Sequence, residues 1–220
     1  MKYGKPIFDQ SKLKITSDKK YFPISWLNTQ GFCEYCIKLE YHDEIKVGPT
    51  KAMLKGTQEH SALEAKFLEE AEETTFEEMM ESSKTAEMLS REMWVESESY
   101  GIRGYIDEIW MTPEEFVIID DKPGQRAYSS TINQVYGYCL AFKDIINDDR
   151  RIVASLRQRG TDNIFWVAPF DTRVERATIE LVERVHRLLN GEEEFIPTKN
   201  ANKCRSCRFK THSDPLNWLR

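Results

Sequence analysis

The sequence predicts an α/β fold, a central mixed β-sheet flanked by helices, on three observations. Residues 105–111 and 116–122 are β-branched and aromatic runs joined by Thr112-Pro113-Glu114-Glu115, where proline presets the φ of a turn, so they read as a β-hairpin. A helical pattern over about 130–147 follows, and then two further strand-like runs, 152–156 and 163–169, around Gly160. Last comes an amphipathic helix over 172–189 carrying Val174, Ile179, Val182, Val185 and Leu189, capped by Asn190-Gly191.

Residues 1–20 are polar and basic with little periodicity, as in a loose lead-in or an edge segment. Ser25 is placed to N-cap a short helix with Trp26 and Leu27, which Gly31 ends. Cys33-Glu34-Tyr35-Cys36 runs on into Ile37, Leu39 and Tyr41. Pro49-Thr50 opens a helix with Ala52, Met53, Ala62, Leu63, Phe67 and Leu68 as core positions. Gly56 and His60 share a face of it one turn apart, so the missing side chain leaves room beside the imidazole. The glutamate-rich stretch 64–81, continued to about Ser90, reads as a solvent-facing helix with Phe76, Met79, Met80, Met88 and Leu89 packing inward. Residues 92–98 alternate Met93 and Val95 with charges as a strand, and Ser99-Tyr100-Gly101 turns it into the hairpin. In the helix after Pro123-Gly124, Ile132, Val135, Tyr136, Cys139, Leu140 and Phe142 supply the buried side, and Gln134 and Tyr138 are an i, i+4 pair. His42 and His186 read as structural.

At 220 residues the chain suits one domain, 1–220, with a sizeable core. It shows no signal peptide and no apolar run approaching a membrane span, which points to a cytoplasmic protein with no membrane partner. The net charge is −6, but residues 64–81 alone carry −7, leaving the rest at +1. Basic residues gather at Arg150, Arg151, Arg157 and Arg159, and again at Lys199, Lys203, Arg205, Arg208 and Lys210, a footprint for a phosphate backbone. Five cysteines, with pairs at Cys33/Cys36 and Cys204/Cys207, suit metal binding better than disulfides, and Cys139 reads as a buried hydrophobe.

The hairpin carries the chemistry. A turn centred between Pro113 and Glu114 sets Asp107 directly opposite Asp120, with Cβ atoms about 5 Å apart on one face. Alternation puts Lys122 with Asp120 and turns Asp121 away. Facing carboxylates call for a cation, and Mg²⁺ or Mn²⁺ on carboxylate oxygens suits phosphodiester hydrolysis.

Gly104-x-x-Asp107, the strand, Asp120-x-Lys122 and Gln134-x-x-x-Tyr138 resemble the ordered motifs of RecB-type nucleases of the PD-(D/E)XK superfamily. Gly56-x-x-x-His60 resembles that group's histidine motif, and cysteines at both ends resemble its iron-sulfur members, nearest to the CRISPR-associated RecB-like exonucleases. The resemblance implies a restriction-endonuclease-like core and metal-dependent DNA exonuclease action, single-stranded DNA preferred. In that branch it also implies processing for CRISPR spacer acquisition beside integration proteins. His60, Asp107, Asp120 and the Asp121 carbonyl would hold Mn²⁺ or Mg²⁺, Lys122 would orient the nucleophile or stabilise developing charge, and Gln134 and Tyr138 would orient phosphate, water or the lysine.

The four thiolates of Cys33, Cys36, Cys204 and Cys207 satisfy either tetrahedral zinc or an iron-sulfur cluster, joining the chain's start to its end. The resemblance favours 4Fe-4S over 2Fe-2S or zinc, although related nucleases place one cysteine early and three late, with Ser213 near the last expected position and His212 a lesser candidate ligand. The alternatives are a non-catalytic metal-stapled DNA-binding or complex-assembly subunit and a repair nuclease unrelated to CRISPR.

Overall fold

The computed structural model describes residues 1–6 and 20–210, so His212, Ser213 and Trp218 lie outside the described residues. Its strands are β1 (Lys2–Pro6), β2 (Phe22–Pro23), β3 (Glu72–Thr74), β4 (Met88–Ser97), β5 (Ile102–Met111), β6 (Glu115–Lys122), β7 (Arg151–Gln158) and β8 (Ile164–Pro169). Its helices are α1 (Ser25–Phe32), α2 (Tyr35–Tyr41), α3 (Lys51–Leu68), α4 (Phe76–Ser82), α5 (Ser129–Ile145), α6 (Thr172–Leu189) and α7 (Ala201–Ser206). The strands form one mixed sheet in the order β3-β1-β4-β5-β6-β7-β8, with β2 added beside β5.

The hairpin β5-β6 has the register expected of its turn, running from Met111 opposite Phe116 to Glu108 opposite Ile119. Thr112 closes the turn: its Oγ1 accepts the Glu114 and Glu115 N–H groups. From β6 the chain crosses through α5 to β7, which lies parallel to β6, and β8 returns antiparallel to β7. The α5 face bearing Val135, Cys139, Leu140 and Phe142 is buried against the sheet, with the Phe116 and Phe142 rings 5.1 Å apart. Gly137 lets α1 lie against α5: a Cβ there would sit 2.4 Å from Leu27 Cδ1. His186 is structural, its Nε2 2.7 Å from the Tyr100 carbonyl and its ring edge-on to Phe22.

Several local expectations are corrected. Residues 64–90 are not one helix. Leu68 ends α3, β3 takes the free edge of β1, and Thr75 and Glu78 form a reciprocal capping box that starts α4 afresh. Of the core positions expected in α3 only Phe67 is buried, while Met53 and Leu68 are exposed, because α3 lies across a cleft rather than inside the core. Ser25 opens α1 without capping it, since the N-cap is Ile24. Gly31 does not end that helix; it lies within it, where a Cβ would meet Ser130 Cα at 2.8 Å. Residues 2–6 are a sheet strand rather than a loose lead-in.

Candidate active site

The site grows out of a fault in strand alternation. In β5, Ile102 and Ile106 face the same core as Ile109 and Met111, so the period of two slips at Asp107-Glu108. In β4 the matching slip falls at Arg91-Glu92, between Met88 and Met93, which both join that core. There Glu92 takes φ +45°, a left-handed value rare for a residue with a side chain. Flanking pairs, Arg91 opposite Glu108 and Met93 opposite Ile106, keep one register, so no residue is inserted and Glu92 falls opposite Asp107. Lys5 of β1 braces the kink, its Nζ donating to the carbonyls of Arg91 at 2.7 Å and Glu92 at 3.3 Å and pairing with Glu64.

The slip sends both carboxylates into a cleft of about 1020 Å³ walled by α3. From α3 comes His60, whose Nδ1 is 3.1 Å from Glu92 Oε1 and 3.8 Å from Asp107 Oδ1. One ligand atom from each of the three residues lies within 4.8 Å of the others. The hydrogen bond to Glu92, reinforced by the Asp107 charge, raises the imidazole's proton affinity against the opposing pull of burial. Asp107 is pushed up to about 8, by burial first and by the nearby Asp120 charge second. Glu92 was not found by sequence reasoning. Its acid type was visible, but alternation gives no hint that it turns toward His60.

Asp107 also ties the hairpin's open end, its Oδ2 accepting the Asp121 N–H at 2.6 Å. Asp120 is buried, its Oδ2 ion-paired with Lys122 Nζ at 2.7 Å but outside hydrogen-bonding geometry, so that oxygen has no hydrogen-bond partner. Lys122 Nζ donates instead to Gln134 Oε1 at 3.0 Å, and Gln134 Nε2 reaches the Tyr138 hydroxyl at 3.5 Å. The helical pair thus meets the lysine. Gly104 makes room for it, since a Cβ would stand 3.1 Å from Tyr138 Cε1.

Asp121 points away from this group into a buried tetrad. Arg157 gives its carboxylate bonds of 2.8 and 3.1 Å, Arg91 one of 3.1 Å, and both arginines also bind Glu108. Burial would raise the Asp121 carboxyl, but the bonds and charge of Arg157, with those of Arg91, hold it below its ordinary range. Its carbonyl, expected to face a metal, accepts from Arg159 Nη2 at 3.1 Å. The Gly56 gap serves this same guanidinium rather than the imidazole, as a Cβ would lie 3.0 Å from Arg159 Nη1. Arg157 is therefore no surface phosphate contact, and neither is Arg150, whose guanidinium binds Asp148, Ser83 and the Thr112 carbonyl over the Phe116 ring.

At the C-terminal end of α1, Cys33, Cys36, Cys204 and Cys207 line one small cavity, and the Sγ atoms of Cys36 and Cys207 are 3.6 Å apart. A hydrogen bond from Cys36 holds the Cys33 thiol down at about 6, while that contact and burial push Cys36 up. Lys203 and Arg208 belong to this module, Lys203 bonding the Gly31 carbonyl and Arg208 pairing with Glu40.

An acid-histidine cleft beside an Asp-x-Lys strand end, on a mixed sheet crossed by one helix, defines an α/β protein of nuclease type. The chain belongs to the PD-(D/E)XK nuclease superfamily, whose family profile matches residues 41–212. Similar solved structures include a candidate exonuclease from Eubacterium rectale, 14% identical over 91% of this chain and 93% of that one, with a TM-score of 0.49. A protein designated SSO0001 is 13% identical over 92% and 90% of the two chains, with a TM-score of 0.43. No curated protein matches. Among the described residues no helix is long and apolar enough to cross a membrane.

Proposed function

We propose that the chain is a divalent-metal-dependent deoxyribonuclease acting as an exonuclease on single-stranded DNA. The convergence of His60, Glu92 and Asp107 within 4.8 Å, beside Asp120 and Lys122, carries this reading. The residues fit a hard cation, because Asp120 Oδ2 is buried without a hydrogen-bond partner and Asp107 is pushed up to about 8 by burial and the Asp120 charge, which His60 and Lys122 offset only in part. His60, Glu92, Asp107 and Asp120 would hold Mn²⁺ or Mg²⁺, with the Asp121 carbonyl, which also accepts from Arg159, as a further donor. Such an ion polarises a phosphoryl oxygen and lowers the pKa of bound water.

The chain's own groups do the rest. Lys122, fixed by Gln134 and Tyr138, places a cation beside the scissile phosphate, where it orients the nucleophile and stabilises developing charge. The test is to incubate end-labelled single- and double-stranded DNA with Mn²⁺, with and without chelator. Release of short products from the single strand only with metal is expected, and undiminished cleavage by Asp120→Ala would sink the assignment.

The four-cysteine cavity supports a second element of the reading, an iron-sulfur cluster held by Cys33, Cys36, Cys204 and Cys207, with 4Fe-4S preferred on the family resemblance. A role in processing DNA for CRISPR spacer acquisition rests on that resemblance alone. Co-purification with integration proteins from the source cell tests it.

A further inference from the structure

The cleft face of β4-β5 does not end at the metal-ligating candidates. Glu92 and Asp107 are followed by Trp94 opposite Tyr105, and then by Glu96 opposite Arg103. Successive pairs on one face of a strand are two residues, or about 7 Å, apart, close to the repeat of an extended nucleotide chain. Trp94 and Tyr105 hold their ring centroids 4.8 Å apart at 63°, and both line the cleft with Arg103. Tyr105 is 44% exposed, and Met53, 46% exposed, lines the same cleft from α3. A cross-strand aromatic pair stabilises a hairpin wherever it occurs. That role does not require its partly exposed rings to adjoin the carboxylates, nor at the next step an arginine, here 3.9 Å from the Glu96 carboxylate.

We propose that Trp94 and Tyr105 form a base-stacking subsite that seats the nucleobase next to the scissile phosphate of a single-stranded DNA, with Arg103 meeting the following phosphate. The inference rests on the nuclease reading for its substrate and adds what that reading lacks, a reason for single strands. Bases paired in a duplex are already stacked and cannot offer a face to Tyr105.

The test is binding in chelator, where turnover is not needed. A labelled thymidine dodecamer is compared with an abasic dodecamer of equal charge by fluorescence anisotropy. Tyr105→Ala should weaken the thymidine strand about tenfold and leave the abasic strand unchanged, and Tyr105→Phe should bind as the native protein does. Trp94→Leu should act in the same direction, with an unchanged far-ultraviolet spectrum confirming its fold. Equal affinity of the native protein for both strands, equal weakening of both by Tyr105→Ala, or no binding of either would overturn the subsite. The nuclease reading fails separately. Protein that binds thymidine strands through Tyr105 yet cuts nothing with Mn²⁺ keeps the subsite and loses the enzyme.

Discussion

At the scale of single residues, Asp107 makes the metal-free protein sensitive to pH. Its carboxyl titrates at about 8 in the folded chain against an ordinary 3.8, so the folded state binds that proton more tightly than the unfolded state does. The resulting stability is fully present below the unfolded value and is lost as pH rises through the folded one. Metal-free protein should therefore lose Tm between about pH 4 and 8 and level off above, with Mn²⁺ restoring it at the upper end. Asp107→Asn keeps an oxygen for the Asp121 N–H, and should flatten the slope and melt above the native protein at the alkaline limit. An unchanged slope would assign the sensitivity to other groups. Glu92→Gln should lower Mn²⁺ affinity by at least about tenfold in a calorimetric titration, since loss of even an outer-shell partner costs that much. His60, Asp107, Asp120 and Lys122 were legible as a group because hairpin register and motif order are linear properties of the chain. Glu92 was not, since it sits at a positive φ braced by Lys5, and its place beside His60 depends on the pairing of β4 with β5.

At the scale of elements, the tetrad behind the hairpin fixes Asp121, and through it the backbone between Asp120 and Lys122. Arg157→Met would leave two buried carboxylates facing one arginine, so it should cost about 3–5 kcal/mol in denaturant unfolding. A cost near zero would mean that water reaches the tetrad. On the other side of β5, Gly104→Ala presses on Tyr138 and should lower turnover with a stability loss of about 1–3 kcal/mol, whereas a silent substitution would detach Tyr138 from the chemistry. Most elements could be read from the chain because Phe116, Ile118, Val135 and Phe142 obey their periods. α3 misled for a physical reason. Its apolar residues Ala52 and Met53 line a cleft, and pattern alone does not separate an apolar wall from a core face. Basic residues misled in the same way, since Arg157 spends its charge on Glu108 and Asp121, far off in sequence, and Arg150 is held by Asp148 and by the Ser83 and Thr112 carbonyls.

Across the whole molecule, apolar burial is unequally shared. One large core surrounds α5, while Cys33, Cys36, Leu39 and Phe209, with a few partly buried neighbours, form a separate small cluster that joins residues near 33 to residues past 200. So little apolar surface gives such a module small stability of its own. Its sulfurs are already gathered, with Cys36 and Cys207 Sγ 3.6 Å apart in one hydrogen-bonded contact. A cluster would compensate the thiolates and close a very long loop, an effect on the order of several kcal/mol. Cys204→Ser or Cys36→Ser should therefore lower Tm and solubility, and speed amide exchange in α2 and α7, before cleavage at the hairpin, which shares no side chain with the module, is touched. If activity falls in step with cluster content while those helices stay protected, the cysteine module belongs to the chemistry rather than to the scaffold. Protein purified without oxygen should be brown, with iron and acid-labile sulfide. A colourless, folded and active protein carrying one equivalent of zinc would replace the cluster by a tetrahedral ion and leave the four-cysteine staple in place.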